Sequence, residues 1–121
     1  MLARLLAPLT NNVPCSYIFA LHKGLSLRFE WDPAKAASNL KKHGVSFETA
    51  ARVFGDPLAW TEQDRIEGGE HRWQTVGTVD GTQLLIVAHT DREDQGGEVI
   101  RILSARRANP REQRRHEQEN R

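Results

Sequence analysis

With 121 residues the chain holds enough for one hydrophobic core and too little for two domains of ordinary size. An apolar share of 38% beside 27% charged residues excludes an intrinsically disordered polymer, and no apolar run approaches the roughly 20 residues that cross a bilayer. The formal net charge of +1 conceals a separation: ten acids face three arginines from Asp56 to Glu98, and seven arginines face three acids from Arg101 to Arg121. The single cysteine, Cys15, excludes an intramolecular disulfide, and the five histidines lack the short spacing that puts two ligands on one helix face. A reducing cytoplasm, no cofactor and no metal are therefore expected.

The first 28 residues differ from the rest. An apolar stretch at the start is broken by Pro8, Asn11, Asn12 and Pro14 before it reaches signal-peptide length, and the apolar patch from Tyr17 to Leu21 is too short for more than a strand or a docking segment. The segment reads as an appended, loosely ordered extension, or as translation from an upstream start codon, before a domain of residues 29–121. The pattern sharpens at Leu25–Trp31, where Leu25, Leu27, Phe29 and Trp31 alternate with Ser26, Arg28 and Glu30 as along a strand. Asp32 before Pro33 is an N-cap followed by a proline whose missing N–H costs nothing at the first helical position. A helix is expected to His43, with Lys41, Lys42 and His43 facing the negative end of its dipole and Gly44 supplying the left-handed residue that ends it. Ser46 caps a second helix whose face is Phe47, Ala50, Ala51 and Phe54, closed by Gly55, Asp56 and Pro57.

Three more strands are expected. Residues 72–79 and 83–90 flank Asp80-Gly81, a turn pair typical of hairpins. After a Gly- and Asp-rich loop, residues 98–105 put Ile100 and Ile102 on one face and Val99, Arg101 and Leu103 on the other. Alternation places Arg106 opposite Arg101 unless a bulge re-aims it. Pro110 opens a polar helix to about Gln118. Strand, two helices, three strands and a helix predict an α+β fold, with helices layered on an antiparallel sheet of about four strands.

The stretch Phe29-Glu30-Trp31-Asp32, then Lys35 with Asn39, Lys42-His43-Gly44-Val45, Phe47, Ala50 and Phe54, and finally the run from Ile100 to Arg106, resembles the BrnT family. The ordered combination carries the resemblance, which covers residues 29 to about 117. It implies a RelE-like fold and a ribonuclease toxin of a type II toxin–antitoxin system. It also implies a DNA-binding, BrnA-like antitoxin as partner, with DNA reached only through that antitoxin.

Metal-independent RNA cleavage uses the 2′-hydroxyl against the neighbouring phosphate. It requires groups that move protons and cations that hold developing charge. His43, Glu70, His71 and His89 are the acid–base groups on offer, of which His43 and Glu70 are retained as catalytic candidates. Arg72, Arg101 and Arg106 lead the phosphate clamps, because Arg101 interrupts a strand of Val, Ile and Leu and a guanidinium fork suits phosphate oxygens. Arg92, Arg107 and Arg111 extend the RNA contacts. Each has an ordinary alternative: a cross-strand ion pair for Arg101, the helix dipole for His43, a half-buried sheet position for His89, a solvated loop for Glu70 and His71. Trp31, Trp60 and Trp73 could stack on bases, although core packing suits Trp31 and Trp73 better. The competing function is a catalytically idle binding module that acts with a DNA-binding antitoxin in transcriptional autoregulation.

Overall fold

The computed structural model describes residues 15–22, 25–94 and 97–119. Strands β1 (Cys15–His22) and β2 (Leu25–Trp31) precede helix α1 (Pro33–His43), helix α2 (Phe47–Ala51) and a 3-10 turn (Arg52–Gly55). Strands β3 (Trp60–Glu67), β4 (Glu70–Val79), β5 (Gln83–Asp94) and β6 (Gly97–Arg107) follow, and helix α3 (Pro110–Glu119) comes last. The strands form one sheet in the order β1-β2-β6-β5-β4-β3, in which β2 runs parallel to β6 and every other pair is antiparallel. The α+β class stands. The expectation of about four antiparallel strands is corrected to six strands in a mixed sheet, because β1 and β3 add an edge each and the chain returns to β2 only after the helices and the β3–β5 meander.

The helix ends obey local chemistry. Asp32 accepts a hydrogen bond from Ala34 N at 3.0 Å, and Gly44 at φ 73° donates its N–H to the Leu40 carbonyl, closing α1. Ser46 Oγ accepts from Thr49 N at 3.0 Å to open α2. Asp80 at φ 58° and Gly81 at φ 71° form the tight turn of the β4–β5 hairpin.

Both early helices lie on one face of the sheet. Phe29 and Trp31 of β2, Leu85 and Val87 of β5, and Ile100 and Ile102 of β6 meet Phe47, Ala50 and Val53 there in a closed core. Trp31 packs edge-on to Phe47 and Phe29 lies tilted against Phe54, with centroids 5.9 and 5.2 Å apart. Asn39 seals a gap in this layer. The β2–β6 pairing ends at Glu30 and Arg101, so the β6 edge at Ala105 has no strand beside it. Buried Asn39 fills that place: its Oδ1 accepts from Ala105 N at 3.1 Å, and its Nδ2 donates to the carbonyls of Ala105 and Val45 at 2.8 and 3.0 Å. The 3-10 turn comes so close to β4 that a Cβ on Gly77 would lie 2.9 Å from both Ala59 and Val53 side-chain carbons. Among the described residues, no helix is long and apolar enough to cross a membrane.

Candidate functional site: an arginine face

The second face of the sheet carries the arginines. Side chains directly opposite on paired strands share a face, so the register fixes which residues meet. Glu30 of β2 pairs with Arg101 of β6, Arg101 pairs with Thr90 of β5, and Arg65 of β3 pairs with Arg72 of β4. The β4–β5 ladder begins at Trp73 and His89, so Arg72 and Thr90 lie one step beyond it in the same register. A row therefore crosses five strands: Arg65, Arg72, Thr90, Arg101, Glu30. Arg72 and Arg101 flank Thr90 and stand two strand spacings apart, roughly 10 Å at the backbone. Arg28 of β2 and Arg92 of β5 occupy the next row, either side of Val99. Thr90 and Val99 are buried between the flanking arginine positions of this face.

Carboxylates hold these cations in place without matching them in number. Arg92 donates through both terminal nitrogens to Glu30, at 2.6 and 3.1 Å, and Arg101 donates once to the same carboxylate at 3.3 Å. Arg65 and Arg72 share Glu67, at 3.0 and 3.5 Å. Arg28 pairs with Asp94. Two guanidiniums share Glu30 and leave a surplus of positive charge there, whereas Glu70, opposite Glu67 in register, offsets the second cation at Glu67. Arg101 keeps most of its five donors uncommitted, and the buried Nε of Arg72 has no hydrogen-bond partner. Burial would raise the Glu30 carboxyl, but the hydrogen bonds and charges of Arg92 and then Arg101 outweigh it and hold the group below the ordinary carboxylate range.

Arg106 lies on this face as well. Its β5 partner is Ile86, four residues from Thr90, the partner of Arg101, and four residues along one strand return to the same face. The register slips between Ala88 and His89, where Leu103 is the extra residue, and this bulge reverses the alternation that would have set Arg106 opposite Arg101. Four residues also amount to about 13 Å along the strand, so Arg106 stands apart from the Arg72–Arg101 group. It is gripped by Glu112 through two bonds of 2.9 Å, and Glu112 also accepts from Asn109 N at 2.8 Å while Asn109 Oδ1 accepts from Glu112 N, a reciprocal cap on α3. Arg106 hydrogen bonding holds the Glu112 carboxyl below its usual range. Trp60 stacks on His116 of α3 at 5.2 Å, so this tryptophan pins the last helix to the sheet.

The remaining sequence candidates are dispersed. His43 stays in the last turn of α1, on the helix-covered side, and Arg107 reaches Gly44 on that side too. His71 alternates with Arg72 onto the other face, where it stacks on Trp73 at 6.3 Å. His89 is buried beneath Phe54, its ring bridging Asp91 Oδ1 and Thr75 Oγ1 at 2.7 Å each. Beside it, burial and then the neighbouring Asp91 raise the Glu98 carboxyl. Glu70 shares the face of Arg72 at the exposed end of the β3–β4 hairpin, and Arg111 is exposed on α3. Among the described residues, no group of three or more His, Cys, Asp or Glu is arranged to hold a metal. The residue that sequence reasoning missed is Glu30. Its partners are 62 and 71 positions away, and the only local sign was a carboxylate on the polar side of an otherwise amphipathic strand.

Comparison with known proteins gives this geometry a family. No curated protein matches the chain. The crystal structure of the Brucella abortus ribonuclease toxin, BrnT, aligns with a TM-score of 0.47 at 22% sequence identity, over 65% of this chain and 92% of that one. Residues 31–112, more than half of the chain, match the family described as ribonuclease toxin, BrnT, of type II toxin-antitoxin systems. The chain belongs to the BrnT ribonuclease toxin family, whose systems pair a toxin with an antitoxin.

Proposed function

We propose that the chain is a metal-independent endoribonuclease that arrests growth in the cytoplasm and is silenced by a BrnA-like, DNA-binding antitoxin. The observation that carries this reading is the gathering of guanidinium on one sheet face, with Arg92 and Arg101 sharing the Glu30 carboxylate and Arg72, held by Glu67, across Thr90 from Arg101. A phosphate lying across Thr90 would meet Arg101 on one side and Arg72 on the other. Planar donors on rigid strands suit the extra negative charge of a five-coordinate phosphorus, and they need no reorganisation as that charge develops. Arg106 and Arg111 lie further along and extend the track for the RNA backbone. The antitoxin covers the sheet face and the basic C-terminal segment, meets no membrane, and brings the complex to DNA, which the toxin itself does not contact.

The test is cleavage of single-stranded RNA by the purified chain in the presence of EDTA. Fragments ending in 2′,3′-cyclic phosphate and 5′-hydroxyl are expected, and addition of the antitoxin should stop their formation. RNA that stays intact while the antitoxin still binds would overturn the enzyme in favour of a module that only binds.

A further inference from the structure

Of the acid–base groups apparent in the sequence, His43, His71 and His89 lie off the arginine face, and Glu70 is at the far tip of a hairpin. The carboxylate inside the cluster is Glu30. Its side chain is 14% exposed, and it belongs to β2 directly beside Arg101, so a strand pair and no flexible loop fixes its position. We infer that Glu30 is the general base that takes the proton of the attacking 2′-hydroxyl, a role that rests on the ribonuclease function proposed above.

The hydrogen bonds leave room for this. Glu30 Oε2 accepts from Arg92 at 2.6 Å and from Arg101 at 3.3 Å, whereas Oε1 accepts only from Arg92, at 3.1 Å. A carboxylate oxygen accepts two bonds, so Oε1 retains a lone pair for a hydroxyl proton. Arg101 reaches both the carboxylate and the space in front of the sheet. The base and a phosphate clamp are thus neighbours, as are the 2′-oxygen and the 3′-phosphate on adjacent carbons of one ribose. In the step itself the 2′-O–H proton passes to Glu30, the 2′-oxygen bonds to phosphorus, and the P–O5′ bond breaks with its electron pair moving to O5′. A water molecule protonates O5′, and the resulting hydroxide takes the proton back from Glu30. The products are a 2′,3′-cyclic phosphate and a 5′-hydroxyl, with no net change in protons. The two arginines keep the base ionised while they stabilise the phosphate, so one cluster serves both needs.

The experiment measures kcat/KM for a single-stranded RNA against pH for the wild-type chain, Glu30→Gln and Glu30→Asp, with circular dichroism to follow the fold. Glu30→Gln should lower kcat at neutral pH by at least about a hundredfold, the usual share of a general base, with a smaller change in KM. The acid limb of the wild-type profile should vanish, and the residual rate should climb with pH as hydroxide replaces the missing base. Glu30→Asp, which keeps the carboxylate one methylene short, should retain the acid limb and recover part of the rate. A folded Glu30→Gln protein that cleaves at the wild-type rate, or that loses the same factor at every pH and keeps the acid limb, would overturn the inference and leave Glu30 as an anchor for arginines. Should Glu30→Gln fail to fold, Glu30→Asp decides: a kcat equal to that of wild type rejects the base role, and a reduced kcat with the acid limb retained supports it. If the wild-type chain itself leaves RNA intact, the ribonuclease function falls first and this role falls with it.

Discussion

The two faces of the sheet are built from the same strands and spent on opposite ends. One face is apolar and covered by α1 and α2, with Phe29, Phe47, Leu85 and Val87 fully buried. The other face alternates with it residue by residue, yet it carries Arg28, Arg72, Arg92, Arg101 and Arg106. A sheet with one packed face and one polar face is ordinary; a row of arginines that no helix among the described residues is seen to cover, with two guanidiniums on one carboxylate, is not. The difference teaches where each kind of substitution should be felt: the covered face in stability, the arginine face in activity.

The largest effect should come from emptying the covered face. Phe29→Ala removes a ring that is fully buried against Phe54, which should cost about 3–5 kcal/mol and lower the melting temperature by 15 °C or more on an approximate scale. A melting temperature within a few degrees of wild type would mean that this face is not the core. Asn39→Leu comes next. It keeps the volume but leaves Ala105 N–H and the carbonyls of Ala105 and Val45 without their partner, a loss of roughly 2 kcal/mol in urea unfolding. No loss would show that water satisfies the β6 edge as well as the amide does.

Much of the covered face was legible because its signals are local. The caps at Asp32, Gly44 and Ser46, the helical face from Phe47 to Phe54 and the Asp80-Gly81 turn each occupy a few consecutive residues, and each lies where the sequence puts it. Strand β3 was not legible. Its sequence Trp-Thr-Glu-Gln-Asp-Arg-Ile-Glu has no apolar alternation, because an edge strand with both faces largely exposed needs none, and its pairing with β4 supplies the order instead. The parallel β2–β6 contact joins residues some 70 positions apart, so nothing in either segment announces it. The arginine face was half legible. Arg72 and Arg101 are apparent as strand cations, but the bulge at Leu103 that turns Arg106 onto their face, and the long-range pairs that put Glu30 among them, are properties of register.

Among the arginines, activity should respond most at Arg101. Arg101→Ala removes the proposed clamp, which makes one side-chain hydrogen bond among the described residues, so cleavage should fall at least about tenfold, a loss near 1.4 kcal/mol in the transition state. Stability should change by less than about 1 kcal/mol, because the pair with Glu30 is partly solvated and Arg92 keeps that carboxylate occupied. Lysine at position 101 should restore part of the rate, since it returns the charge without the planar fork. Wild-type cleavage by folded alanine variants of Arg72, Arg92 and Arg101 would erase the contrast between the faces.

The smallest effect tests how α3 is attached where the arginine face ends. Helix α3 buries no residue of its own, so the Arg106–Glu112 pair, the Trp60–His116 stack and the Arg115–Glu62 pair contribute to its docking. The Glu112 carboxyl is lowered in the folded chain by Arg106, so the stabilisation it provides is fully present above the ordinary glutamate range and is lost as pH falls through the depressed value. The pair is partly exposed, which limits its worth to less than about 1 kcal/mol. Wild type should therefore exceed Glu112→Gln by that small margin in urea unfolding at neutral pH, and the two should converge in acid. A margin that persists unchanged in acid would mean that Glu112 acts through its cap on Asn109 and not through its charge, and Arg106 would then be free to face a phosphate at no cost to the helix.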